Sequence, residues 1–177
     1  MQQLTGDALL KAYEQGRRDF RGITAIAINL FEADLRWIDL SGSCLNQLYM
    51  PYGNLSMAQL QNISLAQAQL ADSILYRADL TAAHLAGANL GRADLRNTNL
   101  QGAQLGHADL SGANLSGADL TGANLEGCKL IGTRLEGATL QNTNLSRCNL
   151  FRAVGVELKD CHCDTGTILP SGYHYGL

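Results

Sequence analysis

The sequence predicts an all-β solenoid, a chain wound into stacked coils that turn a corner after every fifth residue. Three observations carry this. Leucine stands at 30, 35, 40 and 45, Met50 takes the next place, and leucine holds every fifth position from 55 through 150. Two residues before each leucine sits a small side chain, mostly alanine, as at Ala58, Ala68, Ala78, Ala83, Ala88 and Ala93. Two residues after, glycine recurs at 102, 112, 117, 122, 127, 132 and 137.

A period of five excludes the simple elements. On an α-helix, five residues turn about 500°, so the leucines would drift around the whole circumference. On a continuous strand, a step of five changes face each time. A corner in every unit resets the parity. Alanine and leucine, two apart, then point inward from one short extended segment, and the other three residues face out or turn the chain. Glycine at the corner supplies the positive φ of a type II turn. Non-glycine corners, chiefly in the first half, imply more type I-like turns. The residue between alanine and leucine is often Asp or Asn, which bonds neighbouring backbone at a corner. From Phe20 to Leu150 there are 27 such units.

The pattern Ala-(Asp/Asn)-Leu-x-x, as in Ala-Asp-Leu at 78–80 and Ala-Asn-Leu at 88–90, resembles the pentapeptide repeat proteins over roughly residues 18–153. The resemblance implies a right-handed quadrilateral parallel β-helix. It also implies four units per 20-residue coil, about seven coils, and a bacterial source, cyanobacterial above all. At ~4.8 Å per coil the stack is about 33 Å tall. Departures from the pattern are local. Arg18 holds an inward position and Ala25 replaces a leucine, so the coil should begin near Ile23. Residues 41–55 are irregular, with Ser43, Leu48 and Gly53 inward and Pro51 at a corner. After Ala153 the phase is lost.

The chain reads as a single domain, 1–177, whose solenoid ends need cover. Residues 5–16 read as a capping helix, with Thr5 or Asp7 at its start, Gly16 at its end, and Leu9, Leu10 and Tyr13 on its apolar face. The tail, 154–177, is either a C-terminal cap or an end-to-end dimerisation element. Phe151 is expected to be covered in both cases, and the protein to be a monomer or an end-to-end homodimer.

Composition narrows the function. The net charge of -3 and pI near 5.7 are too mild for a strong nucleic-acid binder, so direct nucleic-acid binding is not expected. No apolar run is long enough for a membrane helix, and the N-terminus lacks a secretory pattern, so the expected compartment is cytoplasmic. Five cysteines without an export signal read as reduced thiols. A core of stacked alanine and leucine leaves no room for a small-molecule substrate or cofactor. Cys161-His162-Cys163 with His174 matches no standard zinc spacing. Cys128 and Cys148, 20 apart and both inward, should stack as core fillers rather than form a disulfide. No nucleophile–base or acid–base pair is evident, so an enzyme is not expected.

Function must therefore lie on the surface. Unrolled at 20 residues per coil, one corner column reads Arg36-Trp37, Ser56-Met57, Tyr76-Arg77 and Arg96-Asn97, and the preceding one Phe31-Glu32, Pro51-Tyr52, Ala71-Asp72 and Gly91-Arg92. Ile74 lies between them at a position usually given to Asp or Asn. Trp37, Tyr52, Met57, Ile74, Tyr76, Arg77, Arg92 and Arg96 should gather on the first four coils as a protein-interaction patch, since aromatics, Met and Arg are enriched in interface cores. The competing structural account packs them on the capping helix or on one another. The reading is a non-catalytic scaffold that meets a protein partner. A DNA-mimicking protector of a type II topoisomerase such as gyrase is the alternative implied by the resemblance, but the Asp39, Asp79, Asp119 column is diluted by Gln59, Asn99 and Thr139. A regulator of cyanobacterial cell differentiation is a further one, also by family analogy.

Overall fold

The structure, a computed structural model, describes residues 4–176; positions 1–3 and 177 of the single-domain span lie outside the described residues. Helix α1 runs Gly6–Glu14. The Thr5 hydroxyl accepts from the Ala8 N–H at 3.2 Å, Asp7 stands in the first turn, and the chain leaves through Gly16 at φ 95°. Leu9 is fully buried against the first coil. Gly6 makes that approach possible, because a Cβ there would lie 2.5 Å from the Asn29 carbonyl oxygen. Tyr13 donates its hydroxyl to the Arg36 carbonyl at 2.8 Å and receives the Arg18 guanidinium over its ring at 3.8 Å.

Parallel bridges then link residues 20 apart, from Asp19↔Asp39 through Arg134↔Val154, in four columns per coil. The ladder thus starts one unit before Ile23, because Phe20 rather than Ile23 fills the first inward corner: its N–H donates to Asp39 at 2.8 Å and it is fully buried. The inward leucines and alanines are almost all buried to within a few per cent. At the irregular units, Met50 replaces leucine and Gly53 makes room for it, since a Cβ at Gly53 would strike Met50 Cγ and Cε at 2.5 Å.

Every N–H of a regular unit has a destination. In Leu120–Asn124, Leu120 and Gly122 donate forward to Thr139 and Gln141 of the next coil, both at 2.9 Å. Ala123 closes the turn onto Leu120, and Asn124 donates back to Ala103, each at 2.9 Å. The fifth, Thr121 N–H, goes to the Asp119 carboxylate at 3.0 Å. The Asp/Asn position therefore caps the one donor the ladder does not use. Tyr49 lacks that capacity, and the residue it would cap is Pro51, which has no N–H.

The corners correct one expectation. Type I-like turns do not occur in the first half. All 27 corners place their second residue in the left-handed region, 17 non-glycines at φ 54–61° and ten glycines at φ 64–69°. The stack dictates this. The N–H of each such residue, Trp37 to Ser56 at 3.1 Å for example, must point along the axis to the next corner, and a type I turn would aim it elsewhere.

Beyond Gly155 the tail folds over the last coil. Asn144↔His162 and Asn149↔Ile168 pair in parallel, and Ile168↔His174 pairs antiparallel as the chain reverses. Phe151 is not covered as expected: it remains 37% exposed, with the Arg152 guanidinium 5.0 Å from its ring centroid and Gly172 close to its edge.

Candidate functional site

The interior is filled by buried side chains. The inward polar residues bond backbone rather than face a cavity: Thr133 and Thr143 donate to Leu110 and Leu120 at 2.8 Å, and the Cys128 and Cys148 thiols contact the Leu105 and Leu125 carbonyls at 2.9 Å. The Cys128 thiol beside it, together with burial, pushes the Cys148 thiol up. Among the described residues no three His, Cys, Asp or Glu stand together as a metal set. Cys161 and Cys163 bring their sulfurs to 3.8 Å, while His174 Nδ1 is engaged with the Thr165 carbonyl at 2.9 Å. All five cysteines are free thiols.

The outward face of the early coils is different. Along one corner, the Trp37 indole donates to the Met57 sulfur at 3.1 Å, and the Arg36 guanidinium stands 5.4 Å from the indole centroid. One coil further, the Tyr76 ring is flanked by Arg77 at 6.0 Å and Arg96 at 5.5 Å. On the neighbouring corner, Tyr52 meets Phe31 edge-on at 6.1 Å, and Phe31 stacks on Tyr49 at 6.2 Å. Arg92 closes that column in a bidentate pair with Asp72 at 2.6–2.7 Å. Ile74 lies on the flat side between the corners, bridged to Asn54 and Asp94.

Seven of the eight patch residues thus fall into two corner columns, with Ile74 between them. The side chains contact one another yet reach solvent: Trp37 is 55% exposed, Tyr52 57% and Ile74 38%, while Met57 and Tyr76 are half-buried. Phe31 (47% exposed) and Tyr49 (44%) extend the surface and were not among the sequence-derived patch residues. The available signal was a tyrosine at an Asp/Asn position directly before a corner proline.

Three arginines here are neutralised locally. Arg36, Arg92 and Arg96 pair with Asp34, Asp72 and Asp94 at 2.8, 2.6 and 2.6 Å. Hydrogen bonds from those guanidiniums hold all three carboxyls below their ordinary range. Such exposed pairs contribute little stability, but they fix guanidinium planes beside the rings. Trp37, Tyr52, Met57, Arg77 and Arg92 also occupy left-handed corners, where a residue with a Cβ is less favourable than glycine. The acidic column works differently. Asp39, Asp79 and Asp119 each accept the backbone N–H (3.0 Å) and hydroxyl (2.6 Å) of Ser41, Thr81 and Thr121, so their first task is turn capping.

Comparison with known proteins agrees with this geometry. Among curated proteins none matches the sequence significantly. Among solved structures, HetL, a pentapeptide repeat protein involved in heterocyst differentiation regulation from the cyanobacterium Nostoc sp. strain PCC 7120, aligns with a TM-score of 0.65 at 28% identity, over 97% of this chain and 100% of HetL. A pentapeptide repeat protein from the Arabidopsis thaliana thylakoid lumen aligns at 34% identity over 50% of this chain and 61% of that one, with a TM-score of 0.49. Rfr23 from the cyanobacterium Cyanothece 51142 aligns at 23% identity over 82% and 90%, with a TM-score of 0.42. Pentapeptide repeat proteins form right-handed quadrilateral β-helices and are typically non-enzymatic structural or binding proteins. The family description "Pentapeptide repeats (8 copies)" matches residues 54–90, 78–117 and 118–154, and with the five-residue ladder it places this chain in the pentapeptide repeat family.

Proposed function

We propose that the protein is a non-catalytic binding scaffold whose rigid coils present the aromatic–arginine surface around Trp37, Tyr52 and Tyr76 to a protein partner. The observation that supports it most directly is the exposure of Trp37 and Tyr52 at left-handed corners, where packing does not require them and backbone conformation disfavours them. Fixed aromatic rings with two rotatable torsions lose little entropy on contact, which suits a hot spot. The proposed setting is cytoplasmic. No helix among the described residues is long and apolar enough to cross a membrane.

The test compares wild type with the double variant Trp37→Ala, Tyr52→Ala. Ala27 and Ala82 already occupy equivalent corners, so alanine is compatible with the fold. The partner is captured from source-cell extract, identified, purified and titrated. The double variant should keep its circular dichroism spectrum and bind at least about 30-fold more weakly, as for the loss of ~2 kcal/mol or more at a hot spot. A folded double variant that binds as tightly as wild type refutes the surface. A second reading, regulation of cyanobacterial cell differentiation, is favoured by the near full-length likeness to HetL. It predicts a heterocyst-pattern phenotype on deletion that Trp37→Ala, Tyr52→Ala reproduces.

A further inference from the structure

On one side of the solenoid the last rung is Cys161-His162-Cys163. His162 donates its N–H to the Thr143 carbonyl at 2.8 Å and accepts from the Leu145 N–H at 2.7 Å. This parallel register over Asn144 leaves His162 exposed. It sets Cys161 above Thr143 and Cys163 above Leu145, and both pack against the core. In the coils beneath, the inward pair of a unit is a small residue and a larger aliphatic one, as at Ala123 and Leu125. Here both are thiols, and their sulfurs stand 3.8 Å apart. Among the described residues nothing pairs above His162. The rung is the outer edge of the stack there, and both cysteines are only partly buried.

The other three cysteines are placed differently. Cys128 and Cys148 are 1% and 0% exposed. Cys44 sits near the opposite end of the stack, bridged to Thr24 and Ser64.

We propose that Cys161 and Cys163 form a reversible dithiol–disulfide switch, oxidised by low-molecular-weight disulfides, that controls how the tail seats on the last coil. The chemistry is two thiol–disulfide exchanges. The thiolate of one cysteine attacks the small disulfide, whose S–S bond breaks and releases one thiol. The thiolate of the other attacks the mixed disulfide, closes the Cys161–Cys163 bond and releases a second thiol. The two protons lost by the cysteines end on the two released thiols. Burial raises both cysteine thiols, so the first exchange is slow. The second is intramolecular between sulfurs already in contact, so the mixed disulfide does not persist.

The link to the tail is geometric. An extended two-residue step spans about 6.4–6.8 Å, whereas disulfide-linked Cα atoms usually stand ~5.5–6 Å apart. Closing the bond shortens the segment at His162 and draws its N–H and C=O away from Thr143 and Leu145. Cys161 also gives up its thiol contact with the Leu158 carbonyl at 3.2 Å. The disulfide and the seated rung are therefore alternatives. The tail lies at the opposite end of the stack from the aromatic surface, and the two readings stand separately.

The experiment equilibrates the full chain in glutathione buffers from fully reduced to fully oxidised, alkylates free thiols in urea and weighs the tryptic peptides. Cleavage after Lys159 leaves Cys161 and Cys163 as the only cysteines of peptide 160–177. That peptide should pass from two alkyl groups to none as the buffer becomes oxidising, while Cys128 and Cys148 remain alkylated. Amide exchange by NMR should find Leu145 at least about tenfold faster in the oxidised protein than in the reduced one, with Leu125 in the coil beneath unchanged. Cys163→Ser cannot close the bond, and in the oxidising buffer its Leu145 should exchange within about twofold of reduced wild type. A 160–177 peptide that keeps both thiols, or carries stable glutathione, across the whole range overturns the switch. Full oxidation with Leu145 unchanged, or equal acceleration in Cys163→Ser, overturns its link to the tail.

Discussion

Ala82 and Gly122 sit two coils apart in the same corner column, both in the left-handed region, at φ 54° and 67°. They make a mirror-image pair. A residue with a Cβ there costs about 1–2 kcal/mol relative to glycine. Glycine's extra freedom in the unfolded chain offsets about 0.4–1 kcal/mol of that. Ala82→Gly should therefore stabilise by about 0.8 kcal/mol, and Gly122→Ala, where no heavy atom stands within 4 Å of the new Cβ, should destabilise by about as much. For a chain of this length these are shifts of about 2–3 °C in opposite directions. Gly127→Ala is the steric control. Its Cβ would lie 2.5 Å from the His107 ring nitrogen Nδ1, so it should cost more than Gly122→Ala. Guanidinium midpoints with matched slopes, alongside thermal melts, measure all three. Shifts of the same sign for Ala82→Gly and Gly122→Ala would refute the claim that the axial N–H, rather than the residue, sets the corner.

Two further outcomes follow from the hydrogen-bond accounting. Asp119→Ala uncaps Thr121 N–H and frees the Gln101 amide (2.6 Å), and should cost about 1–2 kcal/mol in denaturant titration. Asp119→Asn keeps the Oδ1 acceptor and should recover most of that loss. Burial pushes the Cys163 thiol up from 9.0 to about 12, and Cys161 also titrates high, chiefly through burial. The folded state therefore favours the neutral thiol of Cys163. That contribution is intact below pH 9.0 and is lost as pH rises through about 12. At pH 8 both cysteines should react with a thiol-specific disulfide reagent more slowly in the folded protein than in urea, and equal rates would contradict their placement against the core.

The leucine ladder was legible because its cause is local: a five-residue period admits no other way to bury Leu100 with Leu80 and Leu120. The patch columns were legible for the same reason, once 20 residues made a coil. The corner conformation was not. Trp37 and Tyr52 have no intrinsic preference for positive φ, and only their hydrogen bonds to Ser56 and Ala71 impose it. Phe31 and Tyr49 escaped because their contact crosses from a corner to an adjacent side, which a column-by-column reading separates. The tail escaped because it has no five-residue phase: Val156 and Leu158 pack against the core without an alanine–leucine repeat to announce them.

These observations separate two kinds of position within each unit. Inward residues are fixed by the coil, so variation there is mostly confined to close substitutes such as Thr133 for alanine or Met50 for leucine, whereas the Asp/Asn position also admits Tyr49, Ile74 and Lys129. The two corner residues are outside the core, and the ladder uses only their backbone. They are free to carry Trp37 or Gly117 on an unchanged main chain, provided the second accepts a left-handed conformation. A scaffold of this kind acquires a binding surface without altering its fold, at the expense of strain distributed over individual corners. Strained aromatic corners are therefore where a partner should be sought first, and a relaxed glycine series such as 112 through 137 is where a partner is least expected.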